Sequence, residues 1–117
     1  MVLALVDDLM FRSKIKSTAT QLGVPVTFAG SQDAALTAMR AATPTLVIFD
    51  LNNPRTDPLG TLAAMKKDPA LAGIRSLGYV SHVDTATIDA ARAAGVDDVV
   101  ARSAFAQNLA ELLARAR

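Results

Sequence analysis

Five short apolar runs punctuate the chain, and most are followed by a stretch whose apolar residues recur every three or four positions. Val2 to Val6 is continuously apolar and is ended by Asp7-Asp8, after which Phe11, Ile15, Thr18 and Leu22 fall at helical spacing up to Gly23. The pattern predicts a strand, an acidic turn and a helix. Val24 to Phe28 is β-branched and aromatic with proline near its start, which predicts a second strand closed by Ala29-Gly30. Ser31 suits the N-cap of a helix that carries Ala35, Ala38, Met39 and Ala42 on one face, and Pro44 forbids its continuation.

Thr45 to Asp50 is the third strand. Leu46 to Phe49 carry no charge and read as buried on both faces of a sheet, while Asn52-Asn53-Pro54 beyond Asp50 is turn chemistry. Asp57-Pro58 then predicts a capped helix over Pro58 to Lys67, ended by Asp68-Pro69. Ile74 to Val80 predicts a fourth strand, although Arg75, Ser76 and Gly78 interrupt it. Asp84 caps a helix through Ala94 with Gly95 as a left-handed exit, and Val96 to Ala101 is the fifth strand. Ser103 is the expected cap of a last helix with Phe105, Leu109, Leu112 and Leu113 on its buried face.

Strand and helix alternate five times, which argues a doubly wound α/β domain: a flavodoxin-like, five-stranded parallel sheet with helices on both faces, (βα)5. A length of 117 residues fits one domain spanning residues 1–117. Composition changes the picture little. With 51% hydrophobic and 20% charged residues, and 12 basic side chains against 11 acidic, nothing points to a nucleic-acid or membrane surface. Cysteine is absent, which excludes disulfides and thiolate sites, and the first apolar run lacks a basic leader. The expected setting is the cytoplasm.

The acids change the picture more. Asp7 and Asp8 follow the first strand, Asp50 ends the third, Ser81 follows the fourth and Arg102 the fifth, so all five belong to the carboxyl edge of the sheet, where doubly wound domains keep their chemistry. If the first and third strands are neighbours, three carboxylates converge and call for a cation or a retained proton. Oxygen donors without cysteine favour a hard ion, magnesium before calcium. The plain alternative is that Asp7 or Asp8 only caps the first helix and Asp50 is a polar end to a strand.

Four features together carry a family resemblance: the acid pair in Leu5-Val6-Asp7-Asp8, Phe49-Asp50-Leu51 with Pro54 four residues after the acid, Ser81 after the fourth strand, and Gly95-Val96-Asp97-Asp98 before the fifth. In their order and spacing the chain resembles, over essentially its whole length, the receiver domains of bacterial two-component response regulators. The resemblance implies that Asp50 is a phosphoacceptor that attacks the phosphohistidine of a sensor histidine kinase or phosphotransfer protein. It implies Mg²⁺ on Asp7, Asp8, Asp50 and the Asn52 backbone carbonyl, with Ser81 and Arg102 contacting the phosphoryl group. It also implies a signalling domain rather than an enzyme, with only self-phosphorylation and self-dephosphorylation, that acts on a downstream protein or output domain and is open to homodimerisation. Whether the domain stands alone or serves an output domain beyond this chain is left open.

Three positions depart from the family. Arg102 replaces a lysine and is followed by Ser103 in place of proline, which substitutes a planar, bidentate cation for a compact one. His82 puts a ring at a normally small position that controls access to the acceptor. Val99 replaces the aromatic residue whose rotation reports activation. The alternative is therefore a degenerate receiver that binds partners without phosphorylation. A third reading, a small metal-dependent phosphatase, lacks a segment to form a substrate lid.

Overall fold

Alternate residues of a strand face opposite sides of its sheet, so an uninterrupted apolar run is stable only where both sides are covered. Five such runs pair in parallel in the order β2-β1-β3-β4-β5, and helices cover both faces. The computed structural model describes residues 1–81 and 84–116. Its elements are β1 (Val2–Leu5), α1 (Leu9–Leu22), β2 (Val26–Ala29), α2 (Gln32–Ala41), β3 (Leu46–Asp50), α3 (Pro58–Lys67), β4 (Ser76–Val80), α4 (Thr85–Ala94), β5 (Asp98–Ala101), α5 (Arg102–Gln107) and α6 (Leu109–Arg115), with one 3₁₀ turn at Pro54–Thr56. This is the doubly wound architecture expected, with its strand order reversing at the β1–β3 pair.

The two faces bury different side chains. On one, Leu3, Leu5, Val47, Phe49 and Val80 meet Ala35, Met39, Leu62, Met65 and Ala91 of α2, α3 and α4. On the other, Ala4, Ile48, Leu77 and Tyr79 meet Ile15 and Ala19 of α1 and Phe105, Leu109 and Leu113 of α5 and α6. At about 25 cal/mol per Å² of apolar surface removed from water, these two layers supply the main drive to fold.

Local punctuation placed α3 and α4 at the expected residues. Asp57 accepts from the Gly60 N–H at 3.1 Å and Asp84 from the Thr87 N–H at 3.1 Å, while Gly95 leaves α4 at φ 102°. Four boundaries differ by two residues or more. β2 begins at Val26, β4 at Ser76 and β5 at Asp98, each later than the apolar run suggests. The last helix is not capped by Ser103: Arg102 is already helical, Ala101 precedes it without a side-chain cap, and the helix breaks at Asn108. There the Asn108 backbone N–H and its side-chain amide both donate to the Ala104 carbonyl, each at 3.0 Å, where α5 gives way to α6.

Gly78 interrupts β4 for a packing reason. A Cβ there would lie 2.5 Å from Leu51 Cδ1, so the missing side chain makes room for the leucine that follows Asp50. No described helix is long and apolar enough to cross a membrane.

Candidate functional site

Asp50 ends the central strand β3, beside the point where the strand order reverses, and is only 8% exposed. Its Oδ1 accepts from the Asn52 N–H at 3.1 Å. Burial raises its pKa above the ordinary 3.8; the Asn52 bond and the Arg102 charge oppose that rise, and the charges of Asp8 and Asp7 add to it. The three acids thus share one electrostatic field, as the strand order requires.

Each flanking acid also has partners of its own. Asp7 accepts from the Asn53 side-chain amide and pairs with Arg55 at 3.2 Å. Asp8 caps α1 by accepting from the Phe11 N–H at 3.0 Å, and its other oxygen lies 3.5 Å from Arg102. The capping role set beside the site reading is therefore present, together with the shared field. Hard oxygen donors are the right chemistry for a small divalent cation. In this arrangement, however, no three His, Cys, Asp or Glu side chains among the described residues are gathered to hold a metal, and two guanidinium groups balance the acids instead.

Arg102 opens α5 with its guanidinium 4.7 Å from the centre of the Phe11 ring. A cation held over an aromatic face gains on the order of 1 kcal/mol, whereas the half-exposed pair with Asp8 contributes at most about 1 kcal/mol. Ring and acid together hold Arg102 beside Asp50. Phe11, Ser81, Arg102, Ser103 and Ala106 line an open cleft of about 380 Å³. The guanidinium and two hydroxyl-bearing residues give this cleft the chemistry to receive an anion.

Asn52 ties the two neighbouring loops together. Its Oδ1 accepts from the Ser81 N–H at 2.7 Å and its Nδ2 donates to Asp84 at 2.9 Å. The Thr87 hydroxyl, the Thr87 N–H and Asn52 together hold the Asp84 carboxyl below its usual range. Val99 lies half-buried in β5, paired with Gly78 and packed on the aliphatic face. His82, expected to control access, lies outside the described residues.

Sequence reasoning missed Asn53, Arg55 and Tyr79. Arg55 stands in a turn and meets Asp7 only through the fold. Tyr79 looks like one more apolar strand residue, yet its ring stacks between Phe11 and Phe105, with centroids 5.1 and 4.6 Å away. Its hydroxyl is buried and meets no partner at full hydrogen-bonding geometry among the described residues. The only local signal was the chain's single tyrosine in a strand next to Asp50.

The sheet order and covered faces define a flavodoxin-like α/β domain with its polar site at the carboxyl edge. No protein-family model and no curated sequence matches the chain. Solved structures do match it. The phosphorylated cyanobacterial phytochrome response regulator RcpA is 20% identical with a TM-score of 0.81, over 97% of this chain and 88% of that one. The chemotaxis protein CheY4 of Vibrio cholerae is 20% identical with a TM-score of 0.84, over 99% and 97%. The receiver domain of NtrX from Brucella abortus is 21% identical with a TM-score of 0.78, over the full length of both. The fold is that of response-regulator receiver domains.

Proposed function

We propose that this chain is the receiver domain of a two-component response regulator and that Asp50 is its phosphoacceptor. The observation that carries the proposal is a buried carboxylate at the end of the central strand, at the topological switch point, with Arg102 acting on it and an anion-receptive cleft formed by Ser81 and Arg102 nearby. The donor is a phosphohistidine on a sensor histidine kinase or phosphotransfer protein. An Asp50 oxygen attacks phosphorus, the phosphorus–nitrogen bond breaks, and the imidazole leaves with the bonding pair.

The chain's own groups have distinct roles in this transfer. The Asn52 N–H holds one Asp50 oxygen, and Arg102 moves its charge from Asp8 toward the incoming phosphoryl oxygens. Ser81 donates its hydroxyl to the same group. Mg²⁺ held by Asp7, Asp8, Asp50 and the Asn52 carbonyl would supply further charge neutralisation, and its binding competes with Arg55 and Arg102 for the acids. Rearrangement of the loops after β3 to β5 then changes binding to a downstream protein or output domain in the cytoplasm, or to a second copy.

Incubation with acetyl phosphate and Mg²⁺, followed by intact mass measurement, is expected to add one phosphoryl group that Asp50→Ala abolishes. No addition from acetyl phosphate or from a phosphohistidine donor would defeat the proposal. One observation favours a second reading, a degenerate receiver that binds partners without phosphorylation: both flanking acids are already paired with arginines. That reading expects no mass change and partner binding unaffected by Asp50→Ala.

A further inference from the structure

Tyr79 is the one side chain among the described residues with a buried polar atom that meets no partner at full hydrogen-bonding geometry, although Asp50 acts on its hydroxyl. A buried hydroxyl without a partner costs on the order of 1–3 kcal/mol, and phenylalanine would fill the same space without that cost. Its surroundings tell where the group points. Tyr79 is the register partner of Asp50 on the adjacent strand. Residues paired in this way present their side chains on the same face, and Tyr79 shares its core layer with Ile48, two residues before Asp50.

The ring has little freedom to turn away. Phe11 and Phe105 stack against it with interplanar angles of 25° and 19°, and it is only 1% exposed. Burial first, and the nearby Asp50 charge second, push the phenol's pKa up, so it remains a protonated donor throughout the ordinary pH range.

We propose that Tyr79 is a positioning residue for Asp50: its hydroxyl donates a hydrogen bond to the free Asp50 carboxylate, fixing the acid's rotamer, and holds it less strongly once the acid is esterified. Esterification removes the full negative charge that makes the bond strong. In hydrolysis, water attacks phosphorus, the bond from phosphorus to the Asp50 oxygen breaks, and the bonding pair departs on the carboxylate. Phosphate is released with a proton to solvent. A donor that favours the departing carboxylate shortens the life of the acyl phosphate. This kinetic part rests on the phosphoacceptor reading; the contact itself does not.

The test uses the wild type, Tyr79→Phe, Asp50→Asn and the double variant. Their unfolding free energies in urea are expected to be non-additive, because either substitution alone already breaks the contact. The chain has one tyrosine and no tryptophan, so its ultraviolet emission comes from Tyr79 alone, and Asp50→Asn should brighten it by removing a quenching carboxylate. After loading with acetyl phosphate, Tyr79→Phe should lose its phosphoryl group about tenfold more slowly, the scale of one hydrogen bond to a charged group. Additive stabilities with unchanged emission would overturn the proposal, as would equal phosphoryl lifetimes. A wild type that accepts no phosphoryl group but shows non-additive stabilities and the change in emission would end the phosphoacceptor reading and leave the tyrosine contact standing.

Discussion

The two faces of the sheet are equally well covered but differently composed. The buried hydrophobic cluster under α2, α3 and α4 is aliphatic apart from Phe49. The face under α1, α5 and α6 carries Phe11, Tyr79 and Phe105 in one stack, with Arg102 on the outer ring and a phenol hydroxyl near Asp50. The difference teaches that the core is not uniform support for the site. One layer supplies stability, and the other also carries polar groups up to the carboxyl edge.

The largest effects should come from cutting each layer once. Phe105→Ala is expected to cost about 3–5 kcal/mol and Leu62→Ala about 2–5 kcal/mol in urea unfolding. Of the two, only Phe105→Ala should alter Tyr79 emission, since Phe105 stacks on the tyrosine and Leu62 packs on the opposite face. Equal optical effects would erase the contrast between the faces. Next is Gly78→Ala on the aliphatic face, where the new methyl group must displace Leu51, at about 1–3 kcal/mol. Acetyl phosphate labelling of the folded variant should persist, because the crowding falls on the face away from Tyr79.

The smallest expected effect is one of sign. Burial raises the folded pKa of Asp50 above 3.8, so protonation favours the fold. That stability is fully present below the unfolded value and is lost as pH rises through the folded value. Asp50→Asn should therefore be more stable than the wild type at pH 7, with the advantage shrinking on acidification toward pH 3.8 in paired thermal melts. A variant less stable at pH 7 would mean that the charged form is the better accommodated one.

Much of the fold was legible because its signals are local. Asp57-Pro58 and Asp84 opened their helices, and Gly95 closed one, through contacts within a single turn. Ile74, being apolar, suggests a start for β4 two residues early, but its backbone N–H donates to the Leu71 carbonyl at 3.1 Å in the turn that follows α3. The strand opens at Ser76, whose N–H donates to Asp97, 21 residues away, at 2.9 Å. Asn108 likewise hid its break, since Phe105, Leu109 and Leu113 keep the spacing of an unbroken helix. In the candidate site, the positions of Asp7, Asp8, Asp50, Ser81 and Arg102 followed from strand order. Their partners did not: Arg55 reaches Asp7 across the sheet edge, and no periodicity announces that a tyrosine hydroxyl meets no partner at full hydrogen-bonding geometry.

Asn52 has a consequence for which substitutions its loop can accept. Its side chain must accept on one side, from the Ser81 N–H, and donate on the other, to Asp84. Aspartate has the same shape but no donor, so it would set one carboxylate against another. Leucine would abandon both contacts, and glutamine would be one carbon too long. The amide is the only group of that size with both polarities, so the spacing between the two loops is written into a single side chain.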